Sequence, residues 1–286
     1  MRDAMDERRR ARPVVAVLAG LVALLAFTAA PALGITNGSP DGDGHPYVGL
    51  MVAQDENGLP LWRCSGTLIA PDVFLTAGHC TEAPAAKAQL WFEKGPILTD
   101  PAFDPQGGGT RCDGIGGYPC KGDVGGIVHT IPSYDPNAFW LHDVGVVVLD
   151  SPVELAAYGA LPTVDQLDSL RVRASTTFTA VGYGLQRAFP DASAWKEVAV
   201  KARLVAYPHL IQINTGMTGP GSLLLSNNAH TGGTCFGDSG GPDFVGTSDT
   251  VAGVTSFGMN WTCGGTGGVF RVDRADVLDW IEGFLD

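Results

Sequence analysis

Ser239 lies in the run Thr234-Cys-Phe-Gly-Asp-Ser-Gly-Gly-Pro242, where glycines open backbone conformations closed to other residues. A Gly-rich turn alone would look the same. A serine alcohol is a weak nucleophile near neutrality, so a chemical role also needs a base within hydrogen-bond reach and a group that orients the base. Among six histidines, His79 has the distinctive setting: it sits in Leu75-Thr-Ala-Gly-His-Cys80, after an apolar strand candidate and beside a cysteine that could pin its backbone. His129 and His142 read as polar residues at strand ends, and His45 and His230 as loop residues. Asp143 opens the apolar run Val144 to Leu149, a poor place for an acid unless a donor meets it. An imidazole can be that donor, and the three side chains together could carry nucleophilic catalysis.

Other chemistries find less support. The formal charge is −12, and residues 35–286 are more acidic still, because the first 34 residues hold five Arg against three acids. Such a surface repels phosphate backbones, so no nucleic-acid partner is expected. Zinc would need closely spaced Cys/His pairs or His-Glu-x-x-His, and neither occurs. No metal and no cofactor is expected. Asp113 and Asp123 in the Gly-rich stretch 107–126 could hold calcium, but aspartates in such turns are usually just solvated.

The elements that must hold these residues are short. Apolar runs separated by Gly, Pro, Asn or Asp occur at Tyr47–Ala53, Ser65–Ala70, Val73–Thr76, Gln89–Phe92, Gly126–Ile131 and Val144–Leu149. The pattern repeats at Thr177–Val181, Glu197–Val205, Leu210–Asn214, Thr250–Ser256 and Gly268–Val272. Many short strands with turn signals between them predict antiparallel barrels or sandwiches. From Asp273 to Asp286 the apolar spacing becomes helical. A connector is expected around Ser151 to Ser175, and 286 residues allow one large or two small domains.

The N-terminus reads as an export signal. Arg8, Arg9, Arg10 and Arg12 precede the uncharged run Val14 to Ala30, and small residues follow at Ala32 and Gly34, which is the three-part layout of a secretory leader. Residues 1–34 are therefore expected to be a signal peptide, cut after Ala32 or Gly34, with no stable membrane insertion of the remainder and a secreted location. The six cysteines then read as three disulfides. Six allow 15 pairings and sequence alone does not choose between them; local grouping favours Cys64 with Cys80, Cys112 with Cys120, and Cys235 with Cys263.

Three motifs now stand in order: Thr76-Ala-Gly-His-Cys80, Asp143 followed by Val-Gly-Val-Val-Val-Leu149, and Gly237-Asp-Ser-Gly-Gly-Pro242. In this order they resemble the trypsin/chymotrypsin-like serine peptidases, and the likeness runs from about Ile35 to the C-terminal helix. The resemblance implies an all-β fold of two six-stranded antiparallel β-barrels with a C-terminal helix, divided at about 35–160, 161–275 and 276–286. It also implies a secreted serine endopeptidase, taken as the bacterial type, that acts through an acyl-enzyme. Ser239 would be the nucleophile, His79 the base and then acid, and Asp143 the group fixing the imidazole tautomer. The N–H groups of Gly237 and Ser239 would form the oxyanion hole.

The same resemblance pairs Cys64 with Cys80 and Cys235 with Cys263. It pairs buried Asp238 with an ammonium at Ile35, although Gly34 precedes Ile35 where an activator would need Lys or Arg. It puts Gly233 at the base of the substrate pocket, with Ser256, Gly258 and Gly268 along its walls. An aspartate stands at the base in trypsins, so a pocket without that acid is expected to favour bulky apolar residues, unless Asp243 or Asp249 reaches in. Tyr183 and Phe257 replace family tryptophans, and the disulfide that vertebrate members commonly have near Phe178 is missing. The expected partners are polypeptide substrates and a proteinaceous inhibitor, with the chain a monomer. The alternatives are a catalytically silent binding protein on the same fold and a serine esterase.

Overall fold

The computed structural model describes residues 35–95, 97, 122–186 and 201–285. The signal segment, Cys112, Cys120 and Asp113 lie outside the described residues. The first half contains β1 (Ser39–Pro40), β2 (Val48–Gln54), β3 (Pro60–Ala70), β4 (Val73–Thr76), α1 (Gly78–Thr81), β5 (Lys87–Trp91), β6 (Val124–Thr130) and β7 (Gly145–Leu149). The second contains β8 (Phe178–Gly182), β9 (Leu204–Ala206), β10 (Leu210–Ile213), β11 (Ser222–Asn227), β12 (Pro242–Val245), β13 (Val251–Gly258), β14 (Gly265–Arg271) and α2 (Ala275–Glu282). The chain is mostly β, as the turn-punctuated apolar runs predict.

Strands β2-β3-β4-β7-β6-β5 form a closed barrel, with β5 returning to β2 through Leu50↔Trp91 to Gln54↔Lys87. Val, Ile, Leu and Phe side chains fill it: Met51, Leu68, Phe74, Leu75, Leu90, Val146 and Val147 are all buried. Each fully buried side chain of this size contributes roughly 1.5–3 kcal/mol. Closure also places the His79 and Asp143 segments side by side. β4 pairs with β7 through Thr76↔Gly145, so the residues just beyond β4 meet the residues just before β7.

The second half, joined by β1 from the first, is an eight-stranded sheet, β1-β9-β8-β12-β13-β14-β11-β10, around Leu167, Phe178, Leu210, Leu223, Leu225 and Val269. It differs in detail from a closed six-stranded ring. β9 and β10 lie on one stretch of chain broken at Pro208, whose ring nitrogen has no N–H to give a ladder. The isolated bridge Thr177↔His209, with the bonds from Phe178 N–H to Pro208 O and from Leu210 N–H to Thr176 O, links the open side to the start of β8 without a continuous ladder, leaving a half-barrel.

Three strands, β1, β11 and β12, lie outside the runs expected from sequence. Leu223-Leu-Leu225 is a short run without β-branched residues, and β12 carries Asp243 at its centre. Neighbouring strands, not local propensity, make them β. α2 buries Val277, Leu278 and Ile281 as the helical spacing predicts, and stops at Glu282 before Gly283. Cys64–Cys80 and Cys235–Cys263 are both formed.

Candidate active site

His79 occupies the second position of α1, a single turn following β4. Its backbone N–H donates to Asp143 Oδ1 at 2.9 Å. Its Nδ1 lies 2.9 Å from Asp143 Oδ2 and 3.1 Å from Oδ1. One carboxylate thus anchors both main chain and ring. Asp143 is completely buried and accepts a further hydrogen bond from Ser256 Oγ at 2.5 Å, so the acid that looked misplaced at the head of an apolar strand has three donors. The Cys64–Cys80 bond ties α1 to β3, and Trp62 Nε1 donates to Cys80 O at 2.9 Å. Burial by itself would lower the His79 pKa; the Asp143 charge and hydrogen bond, helped by Glu82, outweigh it and hold the pKa above its usual value.

The Ser239 loop is pressed against this unit. Ser65 N–H donates to Ser239 O at 2.8 Å, and Ser65 Oγ donates to Gly237 O at 2.9 Å. Gly240 has φ +76°, and a Cβ there would collide with Thr76 Oγ1 and stand 2.7 Å from Ala77 N. Only glycine lets the chain after Ser239 come this close to the residues leading into His79. Ser239 Oγ makes no hydrogen bond among the described residues, so its bond to His79 is not formed; catalytic bonds commonly tighten only when substrate arrives. Gly237, at φ +93°, and Ser239 both point N–H groups that meet no acceptor among the described residues. Two free donors flank the alcohol.

The model of the trypsin family matches residues 37–281. The chain belongs to the trypsin family. It is 27% identical over 256 residues to CLIP domain-containing serine protease B10 of Anopheles gambiae, covering 84% of this chain and 66% of that protein. The chain therefore spans just under two thirds of that relative. It is 29% identical over 235 residues to brachyurin of Leptuca pugilator, covering 78% of this chain and 87% of brachyurin. Among solved structures it resembles HL collagenase at 20% identity and TM-score 0.63, covering 87% of this chain and 97% of that one. Human heparin binding protein follows at 20% identity and TM-score 0.57, with 87% and 96% covered. At those identities the two structures speak for the fold alone. Both sequence relatives are animal proteins, so the expected bacterial type is not supported.

Within this trypsin-family frame, Asp238 is buried between Gly182 and Gly184, either of which would clash with its carboxylate if it carried a Cβ. The carboxylate accepts N–H bonds from Gly184 at 2.7 Å and Cys235 at 2.9 Å. Burial dominates, against these two bonds and the nearby Arg63 charge, and pushes its pKa up to about 7. Ile35 is an ordinary peptide residue in the intact chain, so an ammonium pair with Asp238 does not exist there. The Ile35 side chain is nevertheless buried with Leu204 and Ala206, and Thr36 O accepts from Gly233 N–H at 3.1 Å.

The pocket glycines are less open than their composition suggests. A Cβ at Gly268 would strike the Phe257 ring, and one at Gly233 would strike Asn227, whereas one at Gly258 would make only an ordinary contact with Asn260 O at 3.6 Å. Asp243 does not reach in: it is buried, accepts from Thr255 Oγ1 at 3.0 Å, and burial pushes its pKa up to about 8. Asp249 accepts from the Tyr47 hydroxyl instead. Ser256, expected on a pocket wall, bonds to Asp143, and Ser65 and Asn227 join the site without being expected there. Nothing local marks a serine in β3 or an asparagine ending β11 as belonging to a site.

Proposed function

We propose that this chain is a secreted serine endopeptidase working through an acyl-enzyme. The observation that carries the reading is the hydrogen-bonded unit of His79, Asp143 and Ser256, packed against a serine whose flanking N–H groups are free. Ser239 Oγ attacks the scissile carbonyl carbon and His79 Nε2 takes its proton. Asp143 keeps Nδ1 protonated and stabilises the imidazolium. The carbonyl oxygen, now negative, sits between the N–H groups of Gly237 and Ser239. Loss of one such donor typically costs ~100–1000-fold. His79 then gives the proton to the leaving amine, and a water repeats the sequence on the acyl-enzyme.

Position 233 is glycine, Asp243 is held by Thr255 and Asp249 by Tyr47, so none of the three offsets desolvation of a substrate Lys or Arg, which supports cleavage after bulky apolar residues. Residues 1–34 are read as the signal, and its removal after Ala32 or Gly34, with trimming where needed, would release Ile35 to pair with Asp238. No separate activating protease is then required. Labelling by a fluorophosphonate and digestion of casein test the reading together. Labelling without casein digestion points to an esterase, and no labelling to a silent binding protein. Ser239→Ala is expected to abolish both signals while leaving the circular dichroism spectrum unchanged. Fully active secreted protein that begins at Leu33 or earlier would overturn the Ile35 assignment.

A further inference from the structure

We propose that Asn227 reads the tip of the side chain that enters the pocket beside Ser239, and that its carbonyl oxygen selects a donor there, tyrosine over phenylalanine. This rests on the peptidase reading above and names its substrate class more narrowly.

Asn227 ends β11, paired with Gly265 at the start of β14, and is 2% exposed. Its Nδ2 donates to Thr234 O at 2.7 Å. A backbone carbonyl only accepts, so this bond decides which end of the amide is which. Oδ1 is left on the other end, buried and without a hydrogen-bond partner. Buried polar atoms are nearly always satisfied, and an exception in a folded protein calls for a ligand or a water.

The place of that oxygen is defined by Gly233. A Cβ on Gly233 would lie 2.6 Å from both Asn227 Oδ1 and Asn227 Cβ. The amide therefore fills the space a side chain at 233 would take, and the polar group at the pocket base comes from the neighbouring strand. The surrounding segments are those that bound the Ser239 loop. Residues 233–239 are joined to the connection between β13 and β14 by Cys235–Cys263, and Phe257 and Gly258 pair with Gly268 and Gly267.

The chemistry of the base follows. A neutral amide does not offset the desolvation of a substrate ammonium or guanidinium, whereas one carbonyl oxygen is matched by one O–H. The Phe257 ring and the disulfide are apolar, and a flat aromatic ring with a hydroxyl at its tip fits both features. A phenylalanine offers Oδ1 no donor.

The test compares kcat/KM for peptide anilides that differ only in Tyr, Phe or Leu before the cleaved bond. The proteins are the chain starting at Ile35 and its Asn227→Leu and Asn227→Asp variants, with active sites titrated by fluorophosphonate. Tyr is expected to exceed Phe by about tenfold in the parent, the size of one net hydrogen bond. Asn227→Leu is expected to bring that ratio near one. Asn227→Asp keeps the shape, guards against a folding failure of the leucine variant, and is expected to raise the rate on an Arg anilide relative to Phe. A parent Tyr-to-Phe ratio near one, a ratio unmoved in Asn227→Leu, or an Arg-to-Phe ratio unmoved in Asn227→Asp overturns the assignment. In those cases labelling and turnover of the Leu peptide persist, so the peptidase reading stands. Absence of labelling and of all turnover in the parent removes both.

Discussion

In the proposed mechanism His79 acts as a base only when neutral, and its raised pKa fixes the direction of the pH effect. As pH falls through that value the ring protonates and kcat/KM is expected to drop, with the acid limb centred above the ordinary imidazole value of about 6.5. A pH–rate profile on a neutral peptide checks this. Asp143→Asn keeps the shape but presents the wrong tautomer, and a loss of about 10⁴ in kcat is expected. Ser256 Oγ donates to the same carboxylate; hydrogen bonds to charged groups are typically worth about 1.5–3 kcal/mol. Ser256→Ala is accordingly expected to cost at least about tenfold in kcat/KM. Gly237→Pro is expected to abolish turnover, because proline holds φ near −65° and has no N–H, while Gly237 sits at +93°.

At the scale of elements, three devices hold the chemistry in place. The first is the β4–β7 pairing, which aligns His79 with Asp143 before any side chain is considered. The second is the Cys64–Cys80 bond, which closes a separation of 16 residues and by chain-entropy reasoning contributes about 3 kcal/mol. The third is buried Arg271. It donates to both Asp273 oxygens, to Asp168 at 2.8 Å and to Asn214 at 2.7 Å, tying β14 to the turn at 166–169. Removing one partner of a buried ion pair typically costs about 3–5 kcal/mol. Arg271→Ala is expected to lower the unfolding free energy by that amount, and urea unfolding monitored by fluorescence measures it.

For the whole molecule, the proposed pairing of an Ile35 ammonium with Asp238 would link the N-terminus to the Ser239 loop. Asp238 has a folded pKa of about 7 against an unfolded value near 3.9. An acid shifted upward binds more protons folded than unfolded, so stability declines as pH rises from about 4 to about 7 and is level beyond. An ammonium at Ile35 would favour the charged carboxylate and remove that decline. Asp243, whose pKa is also raised, to about 8, adds a decline common to both forms, so urea midpoints of the Ser239→Ala protein between pH 4 and 8 are expected to fall more steeply for the intact chain than for a chain starting at Ile35. Identical slopes for the two forms would argue against the pair.

Several features were readable in the linear chain because they depend on residue type and local order. The three motifs, the turn-punctuated strands and the amphipathic helix each lie within a few neighbouring positions, and strand formation follows directly from their apolar patterning. Other features required distant segments to meet. β11 and β12 became strands only because β14, β10, β13 and β8 lie beside them, since a Leu-rich run and an Asp-centred run have no strong preference of their own. Ser256 became the third donor to Asp143 across 113 positions. The amide at the end of β11 took the space that Gly233 leaves free. Residue types and their local order set which groups were available for chemistry, and the folding of the two halves against each other decided which hydrogen bonds those groups make.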